Sequence, residues 1–284
     1  MSKAVWAGFP YPDKAYLYAG AALAKNWARL HRGDREPFPD EKRLRSLVAA
    51  WPRLAKNGFD CAAAAAALQE AWRLYHRGEF AAAAHAGLDL GLPGYTVANK
   101  AAAIHASYLE RDEARRLDRY QQVAQRSEEL RAAAPDWANG HYLYAYALGR
   151  YSQAISVAKA LAQGLGGKIR DALEQTLRLD PEHAEAHVAL GSWHAEVIDK
   201  VGALAGGLTY GAKRQAALDH HRRAIELDPE SAIARIEYAN SLVRLFGRAR
   251  LKEAEALYAQ AAACRPADAM QRLDVEAAKV ELSD

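Results

Sequence analysis

Cysteine is almost missing. Cys61 and Cys264 are the two in 284 residues, far apart and in no CxxC or Cys/His spacing. That excludes a disulfide scaffold or zinc finger and reads each as a small buried apolar residue in a reducing compartment. An excess of one charge is missing too: 38 Lys and Arg stand against 35 Asp and Glu, a net +3. So balanced a total gives no global attraction to nucleic acid or an anionic membrane. No window approaches the roughly 18 unbroken apolar residues of a membrane span. The most apolar stretches are interrupted by Lys25 and Lys159. The start, MSKAVWAGFPYPDKAY, has neither the apolar centre nor the cleavage site of a secretory signal. The expectation is a soluble cytoplasmic protein with no nucleic-acid or membrane partner. Strand signals are the last absence, since period-two alternation is not sustained and β-branched residues are few.

Helix formers are what the chain has. Alanine, leucine, arginine and glutamate are abundant. The prolines fall in short breaks between helix-length segments: EPFP (36–39), GLPG (91–94), APDW (134–137), DPEH (180–183), DPES (228–231) and RPAD (265–268). Proline is tolerated just past one helix end or in the first turn of the next, so these mark boundaries. The class is all-α.

The segments also repeat, which decides architecture. QTLRLDPEHAEAHVALGSWHAE (175–196) and RAIELDPESAIARIEYANSL (223–242) share one frame: a helix end, Leu-Asp-Pro, a turn and a new helix. EELRAAAPDWANGHYLYAYALG (128–149) is a fainter copy, and EAEALYAQAAA followed by RPAD another. After Pro181 come His187, Leu190, Gly191 and His194; after Pro135 come His141, Tyr144, Ala145 and Leu148. Ala217, His221 and Ala224 precede Pro229, as Ala254, Tyr258 and Ala261 precede Pro266. These residues resemble the tetratricopeptide repeat, a helix-turn-helix unit of about 34 residues. The likeness covers about residues 60–266 and is strongest in the last three units. Upstream, LYHRGEFAAAAHAGLDLG (74–91, with Gly78 in the turn) and 98–135 read as two further hairpins.

Spacing departs from that family. Pro135, Pro181, Pro229 and Pro266 are 46, 48 and 37 residues apart, and the excess is assigned to two overlong A helices. Each overlong helix ends in glycines, ALAQGLGGK (160–168) and ALAGGLTYGAK (203–213). A phosphate loop needs Gly-x4-Gly-Lys-Ser/Thr after a strand. Here Ala162 and Ile169 stand at required positions and a helix precedes, so the glycines are read as turns. LGSWHAEVIDKVGALAGGLTYGAKRQAALDHHRRAIELDPES is similar to the regulator-of-microtubule-dynamics family and to bacterial T components of TRAP transporters.

The resemblance implies a right-handed α-solenoid whose A helices line a concave face. The family's inward positions fall on Asn139, Tyr142, Tyr146 and Arg150, on Glu185, Val188, Ser192 and Glu196, and on Ile236, Asn240 and Arg244. Tyrosine with Asn and Arg suits a peptide groove; the alternative is that Tyr142 and Tyr146 pack on the neighbouring repeat. The Lys/Asn set that clamps a terminal carboxylate in chaperone-binding members is not reproduced. His183, His187 and His194 lie on one helix, and His220 and His221 on its partner. His187, His194 and His221 hold intra-repeat positions and are candidate ligands for zinc, copper or nickel. The alternative is histidine replacing the family's aromatics in a helix seam. Basic rows such as RRLDR and HHRR suit solvated helix faces. No nucleophile or paired-acid motif stands out, so no catalysis and no cofactor are expected.

The domain reading is an N-terminal helical cap (1–58), about five hairpins (59–266) and a C-terminal capping helix (267–284). In the cap, a helix is expected near Tyr16–Leu30, and Trp6, Phe9 and Tyr11 are expected to pack on the first repeat. The function read from this is a non-catalytic scaffold binding a peptide or partner protein. Alternatives are a small-ligand or metal-binding protein, or an accessory subunit of an enzyme or transporter.

Overall fold

Short polar side chains start the helices. Asp40, Asp60, Asp112, Ser156 and Ser231 each accept a hydrogen bond from a first-turn backbone N–H, and His183 does the same through Nδ1. The computed structural model describes residues 6–55 and 58–283, and every regular element among them is helical. They are α1 (Ala22–Leu30), α2 (Glu41–Ala50), α3 (Cys61–His76), α4 (Phe80–Asp89), α5 (Tyr95–Tyr108), α6 (Glu113–Ala133) and α7 (Ala138–Gln153). Then come α8 (Val157–Ala162), α9 (Leu165–Leu179), α10 (Ala184–Val201), α11 (Ala203–Tyr210), α12 (Arg214–Leu227), α13 (Ala232–Phe246), α14 (Leu251–Ala262) and α15 (Ala269–Glu281). Among the described residues no helix is long and apolar enough to cross a membrane.

The chain divides into two compact units. One takes the chain up to Leu30, Glu36 to Ala154, and Asp268 to Met270; the other takes His31 to Arg35, Ile155 to Ala267, and the chain from Gln271. In the first, α3 pairs with α4, α5 with α6, and α6 packs on α7. Its aromatic centre joins Trp27, Trp72, Tyr75 and Phe80, with buried His76 bonded through Nδ1 to Asp268 Oδ2 at 2.8 Å. In the second, α10 pairs with α12 and α13 with α14. Leu218, Tyr238, Leu242 and Leu257 form one core cluster there, and Ile236, Ala261 and Val275 of α15 another. Alanine at Ala217, Ala224, Ala239, Ala254 and Ala261 is fully buried, and its small side chain lets the helices close up.

Three expectations are corrected. The extra length of the two A helices is folded as separate short helices: α7 stops at Gln153 before α8, and α10 stops at Val201 before α11. Ser156 recaps the chain in the first case, and Gly202 at φ +85° breaks it in the second. The glycine turns are found in part: Gly164 (φ +62°) after α8 and Gly211 (φ +72°) after α11 are left-handed, but Gly166 and Gly167 lie inside α9 and Gly206 and Gly207 inside α11. The helix expected near Tyr16–Leu30 begins only at Ala22, because Tyr18 and Gly20 have positive φ; Lys14–Tyr16 is a 3-10 turn. Cys61 and Cys264 are free thiols, half-buried rather than buried.

Candidate functional site

Repeat chemistry first explains a recurring turn. His141 Nε2 donates to the Pro135 carbonyl at 2.8 Å, and His187 Nε2 to the Pro181 carbonyl at 3.1 Å. Arg235 Nη2 does the same to the Pro229 carbonyl at 2.7 Å. In three successive repeats the residue six past the proline ties the turn to the A helix. The spacing was visible in the sequence, although its meaning was not.

Within the first unit, Asn139 and Tyr142 are buried. Asn139 Nδ2 donates to Glu36 Oε2 at 2.6 Å, and Thr96 Oγ1 to Glu36 Oε1 at 3.4 Å. The first turn of α7 is therefore already engaged by a carboxylate of the chain itself. Tyr142 packs on Tyr146 with ring centroids 6.1 Å apart. The Tyr146 hydroxyl bonds Ser107 Oγ of α5 at 2.9 Å, alongside Tyr120 at 3.0 Å. Burial pushes the Tyr120 phenol up to about 12, so that hydroxyl stays neutral. Arg150 lies over the Tyr146 ring at 5.4 Å. Tyr146 thus ties α7 to α5 through Ser107, with Tyr142 and Arg150 against its ring.

Within the second unit, α10 and α13 lie side by side and carry Ser192, Glu196, Asn240 and Arg244. Ser192 Oγ donates to Glu237 Oε2 at 3.1 Å, joining the two helices. Glu237, one turn before Asn240, was not among the expected residues; its i, i+3 offset from Asn240 was the available signal. Asn240 Oδ1 accepts from the Tyr258 hydroxyl at 2.6 Å. Glu196 pairs with Lys200 at 2.6 Å, and Arg244 is exposed. Glu185 opens α10, its N–H bonded to the Gly33 carbonyl at 3.0 Å. Ser192, Glu196, Glu237, Asn240 and Arg244 make a polar strip across two adjacent A helices. Val188 and Ile236 are buried beside it.

The histidines assemble differently from the expected trio. His187 Nδ1 meets His220 Nδ1 at 2.8 Å, and the His194 ring stacks on His220 at 15° and 5.9 Å. His221 turns away, bonding Ser241 Oγ at 2.8 Å and stacking on Tyr238. The Pro181 carbonyl can only accept, so the His187 proton sits on Nε2 and His220 Nδ1–H donates to His187 Nδ1. His194 Nδ1 accepts from the Lys213 N–H at 3.3 Å. Burial, then the neighbouring His220 and Lys213, holds His194 near 4; burial, then His187, holds His220 near 4; burial holds His221 near 3 and lowers His187 as well. The row is therefore neutral at pH 7. Among the described residues no group of three or more His, Cys, Asp or Glu has the geometry to hold a metal ion.

No protein-family model matches the sequence. No curated protein matches it either. Among solved structures, it is similar to a thermophilic tetratricopeptide-repeat protein of Thermus thermophilus, with a TM-score of 0.54 and 18% identity. The match covers 76% of this chain and 99% of that one. At that identity the likeness establishes the fold alone: an all-helical α-solenoid class built of tetratricopeptide-type hairpins.

Proposed function

We propose that this protein is a non-catalytic tetratricopeptide-repeat scaffold that binds a peptide or partner protein on the inner faces of its A helices. The observation that carries the reading is the strip of Ser192, Glu196, Glu237, Asn240 and Arg244 on α10 and α13. It combines a carboxylate, an amide and an exposed guanidinium on a helix pair, the makeup of directional peptide recognition. The buried Ser192–Glu237 bond supports it, because it holds the carboxylate in a defined position at the head of the strip. The finer likeness to microtubule-dynamics regulators and TRAP-transporter T components rests on residues 190–231, where α11 is inserted between α10 and α12.

The test is affinity capture from native cells with Arg244→Glu plus Asn240→Arg, set beside Arg223→Glu on α12. Partners lost with the first variant and kept with the second support the strip. Partners kept by both sink it.

A further inference from the structure

Residues 6–9 are held on the first unit as a peptide ligand would be. Residues 6–13 have no regular secondary structure, and most are exposed. The Trp6 ring lies 3.9 Å from the Arg119 guanidinium carbon, 4.5 Å from the His105 ring centroid and 6.4 Å from that of His85. His105 Nε2 donates to the Ala7 carbonyl at 3.2 Å. Its Nδ1 then accepts from Arg119 Nη1 at 2.7 Å, and Glu110 holds Arg119 from the other side at 3.1 Å. Three residues on, the Phe9 ring sits on Gly78 (φ +89°), where an added Cβ would stand 2.5 Å from it, with the Phe80 ring 6.3 Å away.

A strap that only covered apolar surface would rest on alanine and leucine. This one also rests on buried His105 and buried Arg119, with buried Glu110 behind Arg119. A cation face receives one ring, an imidazole N–H receives a main-chain carbonyl, and a side-chain-free shelf receives the second ring. Aromatic anchors plus a main-chain hydrogen bond are how extended peptides are recognised. Burial, then the Arg119 charge, holds His105 near 4, so at neutral pH it keeps a single donor aimed at the peptide carbonyl.

We propose that the site formed by α4, the end of α5 and α6 recognises an extended peptide bearing Trp-x-x-Phe. In this structure it is occupied by residues 6–9 of the same chain, and a partner protein displaying that pair binds by displacing them. The site shares no residue with the strip on α10 and α13, so it stands or falls separately from the scaffold reading. A resident segment lowers the apparent affinity for a competitor by the fraction of time it is bound.

The experiment uses the full chain, its Trp6→Ala/Phe9→Ala variant and a fluorescently labelled peptide WAGFPY, the sequence of residues 6–11. By anisotropy, the variant is expected to bind the peptide about tenfold or more tightly than the parent. The control peptide AAGAPY is expected not to bind. A variant that keeps its helical circular dichroism but does not bind WAGFPY overturns the proposal. So does equal binding by parent and variant, or a parent dimer that the variant abolishes, which would mean exchange between copies. If the double variant fails to fold, Trp6→Ala alone carries the same comparison and the same outcomes.

Discussion

Replacing Gly191 by alanine sets helix propensity against packing in one residue. Gly191 lies inside α10, where alanine should gain about 1 kcal/mol over glycine. Its added Cβ, however, would stand 2.9 Å from His221 Cδ2 and Nε2 and 3.0 Å from Cε1, against an ordinary contact of 3.4–4 Å. The ring cannot yield easily, because it is fully buried, bonded to Ser241 and stacked 5.3 Å from Tyr238. Overpacking of this kind costs about 1–3 kcal/mol, so the net change is a loss of about 1 kcal/mol. Gly149 in α7 is the matched control: nothing lies within 4 Å of its added Cβ. Gly149→Ala is therefore expected to stabilise by about 0.5–1 kcal/mol. Urea denaturation followed by circular dichroism measures both. In a His221→Ala background, Gly191→Ala should turn stabilising, because the ring it strikes has gone. If Gly191→Ala stabilises the parent as much as Gly149→Ala does, the packing argument is refuted.

Acid should weaken the fold through the histidines. His105, His194 and His220 near 4 and His221 near 3 all lie below the unfolded value of about 6.5. Their stabilising contribution is whole above that value and is lost as pH falls through the folded values, because the unfolded chain binds protons that the fold resists. The urea midpoint should drop between pH 6.5 and 4, less steeply in His220→Gln; identical slopes in the two proteins would sink this. Asn139→Ala removes a donor from the buried Glu36 carboxylate and should cost about 1.5–3 kcal/mol; a loss under about 0.5 kcal/mol would show that the bond contributes little. Leu204 and Leu208 on α11 are 79% and 81% exposed, so changing both to glutamine should leave stability within about 0.5 kcal/mol. A larger loss by denaturation would mean that α11 is buried in solution.

Proline spacing made the hairpins legible, because each proline forbids a helix interior and each follows a helix end. Ala217, His221 and Ala224, which carry the repeat pattern before Pro229, are all fully buried. Which imidazole joins His187 was not legible. Neighbouring helix residues point about 100° apart, so a small rotation of α12 decides between His220 and His221. Here it sends His220 to α10 and His221 to α13. The breaks between α7 and α8 and between α10 and α11 were hidden for another reason. Alanine and leucine favour a continuous helix and a recapped one alike, and only Ser156 and Gly202 mark the difference. Glu36 on Asn139 is a contact across more than a hundred residues, which periodicity does not encode.

Site-specific photocrosslinking in native cells tests the scaffold reading without assuming its partner. A photoreactive residue replaces Arg244 on α13, and separately Arg223 on α12 and Glu255 on α14, all exposed. A discrete protein adduct from position 244, with none from 223 or 255, is the expected result. Adducts from 223 or 255 with none from 244 would contradict recognition on the A-helix face.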